Sequence, residues 1–316
     1  MATLRVLCWP QMPATEALAE AARRAGVQVD VTVIASNEDL EARLGRAAFD
    51  VVFPSDYLVE RLVERGGLLP LEAPADVVTR IGAWARDAPH DPGCAWSLPF
   101  AFGTTGYLCR AEFGEATSWR GLLDPPPATT VGMLAEVREV IGAALIAAGR
   151  SPNDASTRAL EDARALLLRQ RPRVARYDSD DFVGPVLRGE VAAHQAWSGP
   201  AAVAVREHAR LRYVVPLEGA GLWITTGAVA VGAKEPGAAR RLLWELAEPG
   251  LAASTTLAAG YATPNLAARA LLPAALRCDD VLFPSDEVMA RCSTFRDLGE
   301  RERRLADVYR EVVAAG

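Results

Sequence analysis

Val27-Gln28-Val29-Asp30-Val31-Thr32-Val33 alternates apolar and polar residues without a break, which is the period-two pattern of a half-exposed strand. Immediately before it, Gly26 closes an alanine-rich helix from Ala14 to Ala25, since glycine accepts the left-handed backbone that ends a helix. Ahead of that helix, Leu4 to Trp9 reads as an apolar strand. Downstream, Ser36 followed by Asp39 resembles a capping box and opens the next helix. Asp50-Val51-Val52-Phe53 is a short buried strand, and Pro54-Ser55-Asp56 turns into a helix reaching about Arg65. This βαβαβα order predicts an α/β fold on a mainly parallel sheet, with ligand contacts at the carboxyl ends of the strands. Trp9 and Ser55 to Tyr57 stand at such ends.

The chain has 316 residues, more than one hydrophobic core usually organises, so two lobes are expected. A proline- and glycine-punctuated stretch from Ala73 to Gly93 leads into Ser97 to Tyr107, where the chain is expected to cross to the second lobe. That lobe takes helices near Val137 to Ala148, Ser156 to Arg169 and Asp181 to Leu187, with strands around Ala192 to Trp197 and Arg212 to Pro216. Gly221 to Val231 reads as the return crossing. The helix at Pro236 to Leu246 starts with proline, as first turns allow, and Leu298 to Ala314 is a charged amphipathic terminal helix. The expected lobes are residues 1–104 with 226–270, and 105–225 with 271–316. Two crossings between α/β lobes make a hinge, the architecture of closing clamps.

Composition narrows the function. Acidic residues exceed basic ones for a net charge of −6, and the cluster Arg301-Glu302-Arg303-Arg304 is interleaved with acids, so no basic face for nucleic acid is expected. No apolar run approaches the ~20 residues of a membrane span. Cys8, Cys94, Cys109, Cys278 and Cys292 are odd in number and lack zinc-ligand spacing. Cys8 and Cys109 read as core residues, and pairing of Cys278 with Cys292 is left open. No glycine-rich cofactor turn occurs, so no cofactor and no metal are expected. Leu4 is reached without the basic segment and long apolar stretch of a signal peptide.

The most specific segment is Gly260-Tyr261-Ala262-Thr263-Pro264-Asn265-Leu266-Ala267-Ala268-Arg269. It resembles the Gly-Tyr-x-Thr-Pro-Asn-x-Ala-Ala-Arg run of the bacterial spermidine/putrescine-binding proteins. Further matches follow in order: Trp9, Val52 to Tyr57, Ser97-Leu98-Pro99 before Gly103, Ser118-Trp119, Arg138-Glu139-Val140, Gly189-Glu190-Val191, Trp197 and Trp223. The resemblance thus spans the chain. It implies the two-lobed type II periplasmic-binding fold, with a small cationic ligand enclosed in a cleft between lobes, an ABC permease as partner and a monomeric receptor in the periplasm or at the cell surface. A chain native from Met1 is instead expected to be cytoplasmic.

The resemblance also implies site residues. Trp9, Tyr57, Trp197, Trp223 and Tyr261 form the aromatic set, Ser55 joins the rim, and Glu136 with Glu139 is the carboxylate pair. Rings that face ammonium groups and carboxylates that pair with them suit an alkylammonium ligand. Taken singly, a Trp or Tyr serves equally well in a core, and a Glu in a first helical turn complements the helix dipole. The ordered coincidence is what carries the reading. Trp84, Trp96, Trp119 and Trp244 match no binding position and are assigned to packing.

The departures bear on the ligand. Met12 stands where the family has tyrosine, Pro10 replaces a polar residue, Thr225 replaces the aspartate that anchors an ammonium, and Phe295 replaces a glutamine. One side therefore keeps its cation-binding chemistry while the other loses charge and gains apolar surface. The expected ligand has one amine or guanidinium end and a less polar other end, and is not spermidine itself. Among His90, His194 and His208 none sits in a catalytic motif, so no enzyme is expected. His194, three residues before Trp197, approaches the site in sequence but reads as a structural strand histidine. The competing reading is a repurposed cytoplasmic binding fold acting as an enzyme or sensor on an amine-bearing small molecule.

Overall fold

The computed structural model describes residues 1–113 and 117–315. They form two compact units, Met1–Phe102 with Trp223–Cys278, and Gly103–Leu222 with Asp279–Gly316. The first unit carries β1 (Ala2–Cys8), β2 (Val27–Val33), β3 (Val51–Val52), β4 (Leu68–Leu69) and the opening of β5 (Ser97–Arg110). Strand β5 continues into the second unit, which adds β6 (Val131–Met133), β7 (Val174–Tyr177), β8 (Ala193–Trp197), β9 (Leu211–Val214) and the first residues of β10 (Gly221–Ala230). The remainder of β10 returns to the first unit, and β11 (Ser293–Thr294) belongs to the second.

In the first unit, β1 runs parallel to β2, with Ala2 opposite Val27 and Cys8 opposite Val33, and parallel to β3, with Val6 opposite Val51. Strand β10 closes this sheet antiparallel to β3 and β4. Leu4, Val6 and Leu7 are fully buried, as the central position of β1 requires. On β2, at the edge of the sheet, Val27 is buried but Val31 and Val33 remain 43% and 53% exposed, so the apolar side of the alternating strand is covered only at its start. The helix Thr15–Ala25 buries Ala17, Leu18, Ala21 and Ala22 and ends at Gly26 with φ 70°. Ser36 caps the helix Asn37–Leu44, its hydroxyl accepting the Asp39 N–H at 3.1 Å. The C-terminal ends of β1, β2 and β3 thus lead into Trp9, Ser36 and Ser55 together.

In the second unit, β8 lies antiparallel to β5, with Trp197 opposite Thr105, and parallel to β6, which pairs parallel with β7. Strand β9 also runs antiparallel to β5, and Gly106 lies where the two approach: a Cβ there would stand 2.1 Å from the Val214 carbonyl. The core gathers Tyr107, Trp119, Ile141, Leu145, Leu167 and Leu305 under the helices Val137–Ala147, Thr157–Gln170 and Glu302–Ala314. Trp119 is fully buried, and its indole donates to the Gly219 carbonyl at 2.8 Å.

The units divide at Phe102/Gly103, Leu222/Trp223 and Cys278/Asp279, whereas the sequence expected divisions after 104, 225 and 270. Strands β5 and β10 pass through their boundaries without a break in backbone or composition, so nothing local marks the point. Segment 271–278 stays with the first unit, beside a stretch held there by backbone bridges of Ile81 to Asn265 and Phe102 to Ala262. The helix expected from Asp181 begins instead at Gly184, because the Asp181 carboxylate accepts the Gly184 N–H at 2.8 Å and serves ahead of the helix. All five cysteines are free, so Cys278 and Cys292 are not bridged. Among the described residues no helix is long and apolar enough to cross a membrane, and no group of His, Cys, Asp and Glu is arranged to hold a metal ion.

Candidate functional site

In the first unit, a series of contacts joins the predicted residues across three strand ends. The Trp9 indole, just past β1, donates to the Phe53 carbonyl past β3 at 2.8 Å. Ser55 follows; its N–H is held by the Asn37 side chain at 3.0 Å, and its backbone bridges Thr225 of β10. The Thr226 N–H donates to the Pro54 carbonyl at 2.9 Å and fixes the same junction. Trp223, on β10, meets the Tyr261 ring edge-on, with centroids 4.9 Å apart and planes at 87°. Burial pushes the Tyr261 phenol up to about 12, so it stays a neutral hydrogen-bonding group.

Tyr57 is only 8% exposed and its hydroxyl donates to Glu38 at 3.2 Å, while the Arg61 guanidinium lies 5.9 Å from its ring centre. Its ring is therefore already packed within this unit. Thr225 is buried and carries no charge where the resemblance expected an anchoring aspartate. Met12 is buried and Pro10 exposed.

In the second unit, Glu139 projects from the helix Val137–Ala147 and is 9% exposed. The Trp197 indole, at the end of β8, donates to Glu139 Oε1 at 3.2 Å. Gln195, two residues earlier, donates its amide to the Glu139 main-chain carbonyl at 2.9 Å and locks the helix onto the strand. Phe182 meets the Trp197 ring edge-on at 5.8 Å. Burial pushes the Glu139 carboxyl up to about 7, an effect the Trp197 N–H, the Thr105 side chain and the Arg138 charge only partly offset. Gly221 explains how crowded this carboxyl is: a Cβ there would stand 3.2 Å from Glu139 Oε2 and 3.0 Å from the Phe295 ring.

The two glutamates do not share an environment. Glu136 occupies the N-cap of the helix without a side-chain capping bond, and its charge acts on the Tyr309 phenol. Glu139 faces Trp197. Phe295 is 3% exposed, beneath the Arg138 guanidinium at 5.0 Å, so it fills the unit's interior and presents no new apolar surface. His194 is fully buried, its Nδ1 2.7 Å from the Gln195 carbonyl, and burial pulls it down to about 4. It is a neutral core residue seated on Gly132, where a Cβ would fall 2.0 Å from the imidazole.

Sequence reading missed Asn37, Glu38, Thr105 and Gln195, which hold the predicted residues in place. Asn37 and Glu38 follow the recognised cap Ser36 and so lie at a strand end. Gln195 is fully buried and lies two residues from Trp197, on the same face of β8. That period-two spacing was the available signal.

A family model described as bacterial extracellular solute-binding protein matches residues 16–280. Spermidine/putrescine-binding periplasmic protein 1 of Haemophilus influenzae is 30% identical over 321 residues, covering 99% of this chain and 89% of that one. The spermidine/putrescine-binding periplasmic protein of Salmonella typhimurium is 28% identical, covering 99% and 92%. Among solved structures, the spermidine/putrescine ABC transporter substrate-binding protein of Streptococcus pneumoniae superimposes with a TM-score of 0.86 at 24% identity, covering 100% of this chain and 99% of that one. That likeness carries the two-lobed periplasmic-binding fold.

Proposed function

This chain belongs to the bacterial extracellular solute-binding protein family, and on that premise we propose that it is the solute receptor of an ABC importer for a polyamine-like organic cation. The ligand carries one amine or guanidinium end and a less polar other end. The observation that carries the reading is the buried Glu139 carboxyl joined to the Trp197 indole. A carboxyl beside an aromatic ring is what an ammonium group needs once it leaves water. The first-unit set supports the other half: Trp9, Ser55, Trp223, Thr225 and Tyr261 bring rings and hydroxyls but no carboxylate of their own. Glu136, at the N-cap of the same helix, belongs to the edge of the second-unit set.

The relatives reported above are named as binding proteins, which supports a receptor and gives the enzyme reading no support. The relatives are named as periplasmic and as ABC-transporter binding proteins, which supports a periplasmic or cell-surface location; a permease partner and a monomeric state are part of the same proposal. Titration calorimetry with N-acetylputrescine, hexylamine, putrescine and spermidine tests it. Saturable binding of the two monocations, tighter than that of the polyamines, is the expected result. Submicromolar spermidine binding would contradict the ligand class.

A further inference from the structure

We infer that Glu139 is partly protonated in the unliganded protein at neutral pH and gives up that proton when the ligand cation arrives, so that solute capture is linked to proton release. The inference rests on the proposed cation-binding reading of the same site and adds how that site is regulated.

The geometry leaves the carboxylate form poorly supported. Glu139 is nearly buried, and the side-chain groups that meet its carboxyl are neutral: the Trp197 indole N–H at 3.2 Å, a long bond for a charged acceptor, and the Thr105 side chain. The other oxygen lies toward Gly221 and the Phe295 ring, neither of which donates from a side chain. Among the described residues, the cation whose charge acts on Glu139 is Arg138, on the same helix. Its guanidinium is already engaged by Glu302 at 3.1 Å, by the Asn153 side chain at 2.8 Å and by the Phe295 ring.

The other elements packed around it bring no compensating charge. From β8 come Trp197 and Gln195, both uncharged. From β9 comes the buried phenol of Tyr213, which burial also holds in its neutral form and whose hydroxyl is tied to Thr104 and Gly106. Strand β5 contributes Thr105. On the C-terminal helix, Glu302 is committed to Arg138.

A buried carboxyl without a cation favours its neutral form, and an arriving ammonium reverses that preference. On binding, the O–H bond of Glu139 breaks, the proton passes to solvent, and the electron pair stays on the carboxylate facing the ligand cation. With burial pushing the carboxyl up to about 7, a fraction of a proton is released per ligand at neutral pH by proton linkage.

Two measurements on the full chain test this, with N-acetylputrescine as the probe. Carbon-13 carboxyl NMR of the glutamate-labelled protein, assigned by Glu139→Gln, follows the Glu139 titration with and without the probe. Calorimetry at pH 7 in phosphate and in Tris reads proton release from the difference in apparent enthalpy. The expected result is a midpoint near neutrality without ligand, a fall of more than one pH unit with it, and a buffer-dependent enthalpy that Glu139→Gln abolishes. A Glu139 midpoint below pH 5 in the unliganded protein, with the probe still bound, would overturn the exchange and leave the receptor reading standing. A neutral midpoint with no binding of any cation would overturn both together.

Discussion

The indole N–H of Trp197 donates to the carboxyl of Glu139 at 3.2 Å, so an aromatic face and an acid are presented by the second unit as one element. Its two components separate by substitution. Trp197→Phe keeps a ring but loses the donor, and Trp197→Ala loses both. Calorimetry with N-acetylputrescine is expected to show a loss of about 1–2 kcal/mol for the alanine variant, the scale of one ring–cation contact. The phenylalanine variant should fall between alanine and wild type.

On β10, Thr225 stands in backbone bridge contact with Ser55, at the position where the sequence resemblance leads one to expect an aspartate. An ammonium left unpaired in a closed site costs about 3–5 kcal/mol. Thr225→Asp is therefore expected to improve spermidine affinity by at least tenfold in calorimetry while leaving hexylamine little changed. A spermidine affinity that does not move would remove Thr225 from the account of specificity.

Gly132 on β6 sits against the imidazole of His194, with a Cβ position only 2.0 Å from that ring. The histidine is fully buried and held to the Gln195 carbonyl, so it cannot step aside. Gly132→Ala is expected to destabilise the protein by about 1–3 kcal/mol through overpacking. Thermal or urea denaturation checks this, and the double variant with His194→Ala should recover part of the loss.

Two buried groups set opposite pH trends. Glu139, raised from 4.5 to about 7, binds more protons folded than unfolded, so its contribution to stability falls as pH rises from 4.5 toward 7. His194, lowered from 6.5 to about 4, binds fewer, so its contribution is present above 6.5 and is lost as pH falls through that window. Glu139→Gln removes the first trend alone. At pH 8 and without ligand, this variant is expected to be more stable than wild type by about 1–3 kcal/mol, the scale of such a shift. Denaturation at pH 5 and pH 8 reads the difference, which should nearly vanish at the lower pH.

Much of the fold was legible because it is written locally. The alternation of Val27 to Val33, the Gly26 stop and the Ser36 cap each specify their element without distant partners. The unit boundaries were less so, because β5 and β10 run straight through them. At the site, positions inherited by resemblance named Trp197 and Glu139, but not the hydrogen bond between them or the burial that alters the acid. Phe295 shows the limit most clearly. A glutamine replaced by phenylalanine reads as new apolar surface, yet whether the ring faces a ligand or the Arg138 guanidinium depends on segments far apart in sequence. The i, i+3 spacing of Glu136 and Glu139 likewise says nothing about the different neighbours that receive them.

The central claim, a receptor that takes an organic cation at the Glu139–Trp197 pair, is tested most directly by titration calorimetry of wild type and Glu139→Gln with N-acetylputrescine. The account predicts saturable one-to-one binding by the wild type and a loss of at least tenfold in the variant, which retains the shape of the side chain but not its charge. Equal affinity for both proteins, or heat that continues to evolve as the ligand is chemically converted, would contradict it.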